Sequence, residues 1–293
     1  MKSDFIASLS QNTKKQYQKS WEKFCNFMDR LNDSPLPTKP ENLPLYVTYM
    51  HRNGLKSSTI RSNLSAISFK HKANGYSLDV THPVIVQLLK GYKKNEITTL
   101  IRRPISQEIL DSICRSTYLN TLNPPSGSMY RALFSLMYHA SLRVSEVARV
   151  PNSFHTLKYN EVQLSRNKVV IRLSSYKHSK GKGELTPISL ERKQYASCPV
   201  KLMQAYLQDR NGSQGQFFLL EGLPVTASSV SRELKTVLQH LGYNSTLYNT
   251  HSFRIGKTTD MAMSGSSEEQ ICMAGRWHSD AFRKYIKPNI INI

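Results

Sequence analysis

The chain has 293 residues, of which 39% are hydrophobic and 9% aromatic, so it can bury a core and is not an intrinsically disordered chain. It has no run near the ~20 apolar residues of a membrane span, and its four scattered cysteines lack the spacing of a zinc site. The net charge of +20 predicts a polyanionic partner, nucleic acid before an anionic membrane surface, although a basic proteome would also produce it.

The first 95 residues have the pattern of short amphipathic helices. From Thr13 onward, apolar residues recur at steps of four and three, which predicts one face of a helix that Ser10 or Asn12 caps. The members of that face are Tyr17, Trp21, Phe24, Met28 and Leu31. A proline-rich turn follows from residue 32 to 44, and a second helix is predicted from Leu45 to Arg52.

The third predicted helix is the most basic of this region. Ser57, Ser58 or Thr59 caps it, and the apolar face repeats at helical spacing. Its inward residues are Ile60, Leu64, Ile67 and His71, and the cations between them are Arg61, Lys70 and Lys72. Such a basic face suits contact with DNA, but a plain solvated helix bundle has the same pattern. A fourth helix follows Pro83 and is expected to turn Val84, Leu88, Leu89 and Tyr92 inward.

A polar, basic stretch marks the expected domain boundary. We predict one domain over residues 1–95, a linker over 96–104 and a second domain over 105–293. Helices are predicted in the second domain at 106–118, 129–149, 228–241, 252–263 and 268–273. Between 162 and 190 the period changes to two, which predicts a strand through Val169, Ile171 and Leu173, a lysine- and glycine-rich turn, and a partner strand over 185–190.

Two pairs of polar residues stand out from this background. Arg143 is predicted inside a hydrophobic helix, where Glu146 could hold its guanidinium; a structural Arg–Glu pair needs no ligand. His251 and Arg254 share a face if their segment is helical, and together they can hydrogen-bond two oxygens of one phosphate. A lone HxxR motif is, however, often coincidental.

Two further positions carry possible chemistry. Tyr285 lies near arginines, where its hydroxyl is a candidate nucleophile, although a lone tyrosine is more often a half-buried surface residue. Lys177 lies in the basic turn with Lys180 and Lys182, where an ammonium can reach a DNA groove and protonate a leaving oxygen. Three solvated lysines would explain the same turn.

Taken in chain order, these residues resemble one family, the tyrosine recombinases or phage-type integrases, over nearly the whole chain. The first arginine box resembles ALFSLMYHASLRVSEVARV, the lysine hairpin VVIRLSSYKHSKGKGELTPIS, the HxxR box THSFRIGKTT, and the tyrosine box AGRWHSDAFRKYI. The N-terminal part, with STIRSNLSAISFKHK, is similar to the family's helical core-binding domain. The sequence GRWHSDAFRKYI is most similar to recombinases of eukaryotic mobile elements, such as DIRS-type retrotransposons and cryptons.

The resemblance implies a mainly α fold: a helical, SAM-like core-binding domain and a mostly helical catalytic domain with a small antiparallel sheet, clamped around duplex DNA. It also implies a chemistry. Tyr285 attacks the scissile phosphate to form a 3′-phosphotyrosyl bond, Arg143 and Arg254 bind the non-bridging oxygens, His251 handles a proton, and Lys177 is the general acid. Glu146 supports Arg143, and neither metal nor ATP is required.

Some assignments stay open within the resemblance. The family's histidine or tryptophan position falls on Trp277 or on its neighbours Arg276 and His278, and the acid falls on Lys177, Lys180 or Lys182. Those cations, with Arg61, Lys70 and Lys72, are also candidate DNA contacts. Self-association on DNA into a dimer or tetramer is expected. Many relatives pack a C-terminal segment onto a neighbouring subunit, whereas here eight residues follow Tyr285.

The predicted function is site-specific DNA recombination or integration for a mobile element, with double-stranded DNA as partner and no cofactor. We expect an intracellular protein, located in the nucleus if the source is eukaryotic. The alternative is a domesticated DNA-binding protein without strand transfer. A type IB topoisomerase would share the chemistry but relax supercoils without pairing two sites.

Overall fold

The computed structural model describes residues 2–96, 102–151, 156–175, 186–210, 212, 214–277 and 279–288, with the backbone alone at residues 2–4 and 124. The chain divides into two compact units, Met1–Thr99 and Leu100–Ile293. Each unit has its own hydrophobic core, so each is described by itself.

The described part of the first unit consists of helices joined by turns. These are α1 (Lys2–Ala7), α2 (Gln11–Arg30), α3 (Asn42–Arg52), α4 (Ser57–Ala73) and α5 (Pro83–Asn95). Four of them were predicted, whereas α1 was not. Ser10 caps α2 by accepting a hydrogen bond from the Thr13 amide at 3.2 Å, so the alternative cap, Asn12, is wrong and lies inside the helix.

Two residues predicted to face this core are exposed instead. Leu31 is 42% exposed because α2 ends at Arg30 and leaves Leu31 as its C-cap. Val84 is 48% exposed because Ile85, the next residue of α5, takes the inward position. The residues of α4 that were predicted to face inward are all buried. They include His71, whose Nε2 accepts a hydrogen bond from the Thr38 amide.

The second unit begins with α6 (Gln107–Arg115), α7 (Tyr118–Thr121), α8 (Pro124–His139) and α9 (Val144–Val147). The prediction of one helix from residue 129 to 149 is therefore wrong. Helix α8 stops at His139, the chain passes through Ser141 with a φ of +48°, and a new short helix starts at Val144. A residue in the left-handed region cannot continue a right-handed helix, so the segment must turn there.

A small antiparallel sheet follows the 3₁₀ helix Tyr159–Glu161. Strands β1 (Val162–Leu164), β2 (Lys168–Ile171) and β3 (Ile188–Glu191) lie in that order, and Val169 pairs with Leu190. The predicted alternation is confirmed at Val169 and Ile171, which face the core. The predicted turn between β2 and β3 covers residues 174–184, of which 176–184 lie outside the described residues, and β3 starts three residues later than the predicted partner strand.

The remainder of this unit is again mostly helical. It contains α10 (Pro199–Asp209), β4 (Leu219–Leu220), β5 (Leu223–Pro224), α11 (Ala227–His240), α12 (Ser252–Met263), α13 (Glu268–Gly275) and the 3₁₀ helices Ser245–Leu247 and Asp280–Tyr285. The bounds predicted for α12 are confirmed, and those of α11 and α13 differ by one or two residues. Helix α10 was not predicted.

Helix α12 lies at the centre of the second unit. It packs against α8, where the rings of Phe253 and Phe134 stack at 5.4 Å, and against α13 and the 3₁₀ helix Asp280–Tyr285. Gly256 allows the chain before α6 to approach, because a Cβ there would lie 1.7 Å from the Ile105 carbonyl oxygen. This close packing fixes the helix that carries the HxxR motif.

The fold class predicted from the sequence is confirmed: the protein is mainly α-helical, with a helical first unit and a mostly helical second unit that carries small antiparallel sheets. Among the described residues, no helix has the length and apolar character needed to cross a bilayer.

Candidate active site

Arg143 lies at the turn between α8 and α9, where it is the residue that precedes α9. Its side chain is half-buried, and its Nη1 donates to Glu146 Oε1 at 2.9 Å. Its backbone amide donates to the other carboxylate oxygen of Glu146, also at 2.9 Å. The pair expected from the spacing is thus present, but it belongs to a helix start rather than to a helix interior.

Glu146 is the buried anion of the site, with 1% of its side chain exposed. Besides Arg143 it holds Arg276, whose Nη2 donates to Oε2 at 2.7 Å. A buried carboxylate is tolerated when several donors satisfy it, and here two guanidinium groups and a backbone amide do so.

Arg254 lies in the first turn of α12 and has no exposed surface. Its guanidinium donates to the carbonyl oxygens of Ser141 and, at 2.9 Å, of Gly275. Burial, followed by the charges of Arg143 and Arg276, lowers its pKa to about 9. The side chain therefore remains charged at neutral pH in a site that already holds positive charge.

His251 and Tyr285 face each other in the same unit. Their ring centroids are 4.8 Å apart, and the phenol ring lies 5.8 Å from the Arg254 guanidinium carbon. His251 immediately precedes α12, where its amide donates to Asn249 Oδ1. Although His251 is exposed to solvent, desolvation by the surrounding protein and then the charges of Arg254, Arg143 and Arg102 lower its pKa to about 4.

Trp277 covers Arg254. The guanidinium carbon lies 4.6 Å from the centroid of the indole, and the indole and phenol centroids are 5.0 Å apart. Gly275 makes this placement possible, because a Cβ at that position would lie 1.6 Å from the indole ring. Of the three residues that could fill the family's histidine or tryptophan position, the structure therefore brings Trp277 against both Arg254 and Tyr285.

Thr259 joins the 3₁₀ helix of Tyr285 to α12, a contact that the sequence did not reveal. Its buried hydroxyl lies 3.0 Å from the Tyr285 carbonyl oxygen and 2.7 Å from that of Ile255, and it accepts from the Lys287 amide at 3.1 Å. The spacing of eight residues from His251 to Thr259, two turns of helix, is the only signal that could have found it.

These residues surround an open cavity of about 820 Å³. Its walls are formed by Arg143, Val144, Ser145, Thr250, His251, Arg276, Trp277, Ser279, Ala281 and Tyr285. The cavity combines two guanidinium groups, an imidazole and a phenol, with Arg254 directly behind the aromatic rings. Such an arrangement can bind an anion beside a hydroxyl nucleophile.

The remaining candidates either lie outside the described residues or belong to the first unit. Lys177, Lys180, Lys182 and His278 lie outside the described residues, so their roles stay predictions. In the first unit, Arg61 and Lys72 are exposed on α4. Lys70 is half-buried, with its ammonium 5.6 Å from the centroid of the Trp21 ring.

Comparison with known proteins gives two family matches that together span most of the chain. The phage integrase family matches residues 109–289, and the N-terminal SAM-like domain of phage integrases matches residues 6–71. The first of these matches covers more than half of the chain and includes every residue of the cavity.

Individual relatives agree with this assignment. The recombinase Cre of Escherichia phage P1 is 19% identical over 275 residues, which are 88% of this chain and 78% of Cre. A Tn1549 transposon integrase in complex with circular intermediate DNA has a TM-score of 0.63 at 14% identity, covering 97% of this chain and 94% of the integrase.

A lambda integrase dimer bound to a core site has a TM-score of 0.62 at 13% identity, covering 97% of this chain and 74% of that protein. At these identities the structures show a shared fold, while the family matches rest on the sequence itself. The chain therefore belongs to the phage integrase family, and it is an enzyme of the tyrosine recombinase type.

Proposed function

We propose that this protein cuts and rejoins DNA at specific sites through a covalent bond between Tyr285 and a backbone phosphate. The observation that carries the proposal is the convergence of Arg143, His251, Arg254 and Tyr285, which come from three separate segments of the chain, on one cavity and its rear wall. A protein that only bound DNA would have no need for a phenol between an imidazole and a guanidinium.

The cavity is suited to a phosphodiester because of its charge. Arg143, Arg254 and Arg276 bring three positive charges, and Glu146 neutralises one, so an excess of two remains. A phosphodiester carries one negative charge, and its transition state for substitution spreads further charge onto the non-bridging oxygens, which fixed guanidinium groups stabilise. The arginines thereby supply the positive charge that a metal ion provides in other phosphoryl-transfer enzymes.

In the proposed step, one bond to phosphorus is exchanged for another. The Tyr285 oxygen attacks the phosphorus, the bond from phosphorus to the 5′ oxygen breaks, and a 3′-phosphotyrosyl bond replaces it. His251, which its lowered pKa keeps uncharged at neutral pH, accepts the phenolic proton. Lys177 gives a proton to the departing 5′ oxygen. Because the phosphotyrosyl bond retains the phosphodiester energy, rejoining needs no ATP.

Arg254 has no exposed surface in the free protein. The rings of Trp277 and Tyr285 cover it, at 4.6 and 5.8 Å. A non-bridging oxygen can therefore reach Arg254 only after one of these rings shifts. We propose that the Tyr285 ring turns towards the phosphorus when DNA binds. This movement would make the Arg254 guanidinium accessible to a non-bridging oxygen.

Double-stranded DNA is the proposed partner. The Tn1549 and lambda integrases have been solved with DNA, and this chain carries twice as many cationic as acidic side chains, 40 against 20. Residues 1–95 would contact DNA through α4, where Arg61 and Lys72 are exposed, and residues 105–293 would carry out the chemistry. Self-association on DNA is proposed by analogy with the lambda integrase dimer.

We further propose, from the sequence of the tyrosine box, that the protein serves a eukaryotic mobile element of the DIRS or crypton type and works in the nucleus. This subgroup assignment rests on the whole stretch GRWHSDAFRKYI, residues 275–286.

The test is a nicked duplex that traps the covalent intermediate, because the short strand beyond the cut diffuses away. The wild-type protein is expected to form an adduct stable to denaturant, and Tyr285→Phe is expected to bind the duplex with unchanged affinity and to form none. An adduct with the Phe variant would assign the nucleophile elsewhere. Salt-sensitive binding without an adduct on any duplex would favour a DNA-binding protein that lacks strand transfer.

A further inference from the structure

We infer that Arg276 is a positioning residue, which sets the orientation of Arg143 through the carboxylate of Glu146. The inference rests on the proposed function, since it concerns the arginine that would bind the phosphate. The sequence made Arg276 one of three candidates for the family's histidine or tryptophan position, and the role inferred for it here is a different one.

The first observation is the contact set of Arg276. Its guanidinium donates to three acceptors at once: the carbonyl oxygens of Ala140 and Ser141, at 3.1 and 3.3 Å, and Glu146 Oε2 at 2.7 Å. Only 10% of the side chain is exposed. A planar group with several fixed donors can bridge such acceptors, whereas an ammonium, a point charge, cannot hold all three in one geometry.

The second observation is what those acceptors belong to. Ala140 and Ser141 form the turn that ends α8, and this turn leads two residues later to Arg143. Glu146 holds Arg143 both through its guanidinium and through its backbone amide. Arg276 thus hydrogen-bonds both to the turn before Arg143 and to the carboxylate that orients Arg143. In the sequence, Arg276 lies 133 positions after Arg143.

The third observation is the backbone of Arg276. It has a φ of +54° in the left-handed region, directly after α13, where its amide caps the helix by donating to the Met273 carbonyl oxygen. Non-glycine residues rarely adopt this conformation. The conformation turns the arginine back towards α8 while the next residue, Trp277, covers Arg254. One short segment therefore acts on both arginines proposed to bind phosphate, since Arg276 contacts the carboxylate that holds Arg143 and Trp277 packs directly on Arg254.

The sharing of Glu146 predicts how the site fails when Arg276 is removed. Glu146 would keep only Arg143, and both could rotate together because the turn would lose two hydrogen bonds. Arg143 would remain charged and DNA would still bind through the many other cations. The loss should therefore appear in the rate of cleavage rather than in affinity.

The experiment measures adduct formation on the nicked duplex at saturating DNA, with affinity measured separately. Arg276→Gln is expected to lower the rate by about tenfold or more and to change the dissociation constant by less than about twofold. Arg276→Lys should recover little, staying within about threefold of the Gln variant. A wild-type rate in Arg276→Gln, a full recovery by Lys, or a loss confined to affinity would each overturn the inference.

A double-mutant cycle with Glu146→Gln tests the route of the effect. If Arg276 acts through Glu146, the double variant should be no slower than the worse single variant, within about twofold. Multiplied losses would mean that Arg276 acts independently, as a phosphate contact does. The matched control is Arg115→Gln in α6, which removes a mostly exposed arginine from a pair with Asp111 and is expected to leave the rate within about twofold of wild type. A control loss equal to that of Arg276→Gln would contradict the inference.

A second measurement decides the inference without cleavage. In the free protein labelled with ¹⁵N, the guanidinium signal of Arg143, assigned with Arg143→Lys, should be sharp because Glu146 immobilises it. Arg276→Gln should broaden or shift that signal, and Arg115→Gln should leave it in place. An unchanged Arg143 signal in Arg276→Gln would contradict the inference, whether or not the wild-type protein forms an adduct. The absence of an adduct with the wild-type protein would contradict the proposed function instead.

Discussion

Among the described residues, the side chains around the cavity carry more positive charge than the carboxylate they contact neutralises. Arg143 and Arg276 share the single carboxylate of Glu146, and Arg254 hydrogen-bonds only to carbonyl oxygens among its described partners. Placing like charges close together is unfavourable unless an anion joins them, and here the lowered pKa of Arg254 reflects that repulsion after the effect of burial. At the scale of single residues, the site is thus prepared for an anionic ligand.

The same charges predict the titration of His251. Its imidazole should take up a proton with a pKa of about 4, against an ordinary value of 6.5, because the surroundings desolvate it and three arginines oppose its charge. Imidazole signals followed by NMR, and assigned with His251→Asn, measure this pKa. Arg143→Gln should raise it by removing one of the opposing charges, whereas Arg115→Gln should not.

Protonation of His251 links the stability of the folded protein to pH. Between pH 6.5 and 4 the unfolded chain would hold a proton on His251 that the folded protein does not, so acidification through this range disfavours the folded form at this group. A measured pKa at or above 6.5 in the free protein would contradict the arrangement of charges described for the cavity.

Gly275 gives a steric prediction at the same scale. Gly275→Ala places a methyl group 1.6 Å from the present position of the indole of Trp277, so the ring must move off Arg254. The free energy of unfolding should fall by about 1–3 kcal/mol, as in other overpacked sites. Adduct formation should fall as well, since Trp277 and Tyr285 pack against each other.

The matched control is Gly91→Ala in α5, where nothing lies within 4 Å of the added methyl group. It should be neutral or stabilise the protein by up to about 1 kcal/mol, because alanine favours a helix more than glycine does. Equal unfolding free energies for Gly275→Ala and Gly91→Ala would show that the indole does not occupy the place described.

At the scale of elements, the sequence predicts helices best where the pattern is local. The bounds of α12 follow from its own residues, and so does the placement of His251 and Arg254 one turn apart. The break between α8 and α9 does not. The residues around Arg143 are compatible with a continuous helix, but Ser141 is held in a left-handed conformation by contacts with Arg254 and Arg276, both more than 100 residues away.

The attachment of the Tyr285 segment to α12 yields a prediction about an element. Thr259→Val keeps the shape of the buried side chain but removes the hydroxyl that contacts the Tyr285 carbonyl oxygen and the Lys287 amide. The 3₁₀ helix Asp280–Tyr285 should then be held less firmly. We expect adduct formation to slow by about tenfold, since one lost buried hydrogen bond is worth about 1–3 kcal/mol.

Thr258→Val is the matched control, because Thr258 is equally buried and its hydroxyl donates only to a carbonyl oxygen of its own helix, that of Arg254. It should change the rate much less. If both variants are equally slow, or if Thr259→Val is as fast as the wild-type protein, the hydroxyl of Thr259 does not position the nucleophile.

At the scale of the whole molecule, the net charge of +20 predicts how DNA binding depends on salt. Cations that neutralise phosphates release counterions, so affinity should fall by about 10³-fold or more between roughly 50 and 200 mM salt if six or more contacts form. Replacing exposed Arg61 or Lys72 of α4 by Gln should reduce the slope of log affinity against log salt by about one each. A flat salt dependence would contradict an electrostatic interface.

The sequence predicts the overall class and the order of the boxes because both depend on residue types and their sequence. It could not choose among Arg276, Trp277 and His278, because that choice depends on which way the chain turns after α13. The left-handed conformation of Arg276 sends its own side chain to Glu146 and leaves Trp277 over Arg254. The role of Lys177 stays a prediction.

The most direct measurement of the central claim is to map the covalent adduct by mass spectrometry after trapping on the nicked duplex. We predict one modified peptide, with a nucleotide 3′-phosphate attached to Tyr285, and a free 5′-hydroxyl on the released strand. An adduct on another residue, a 5′-phosphate attachment, or no adduct under conditions in which the duplex is saturated would contradict the claim.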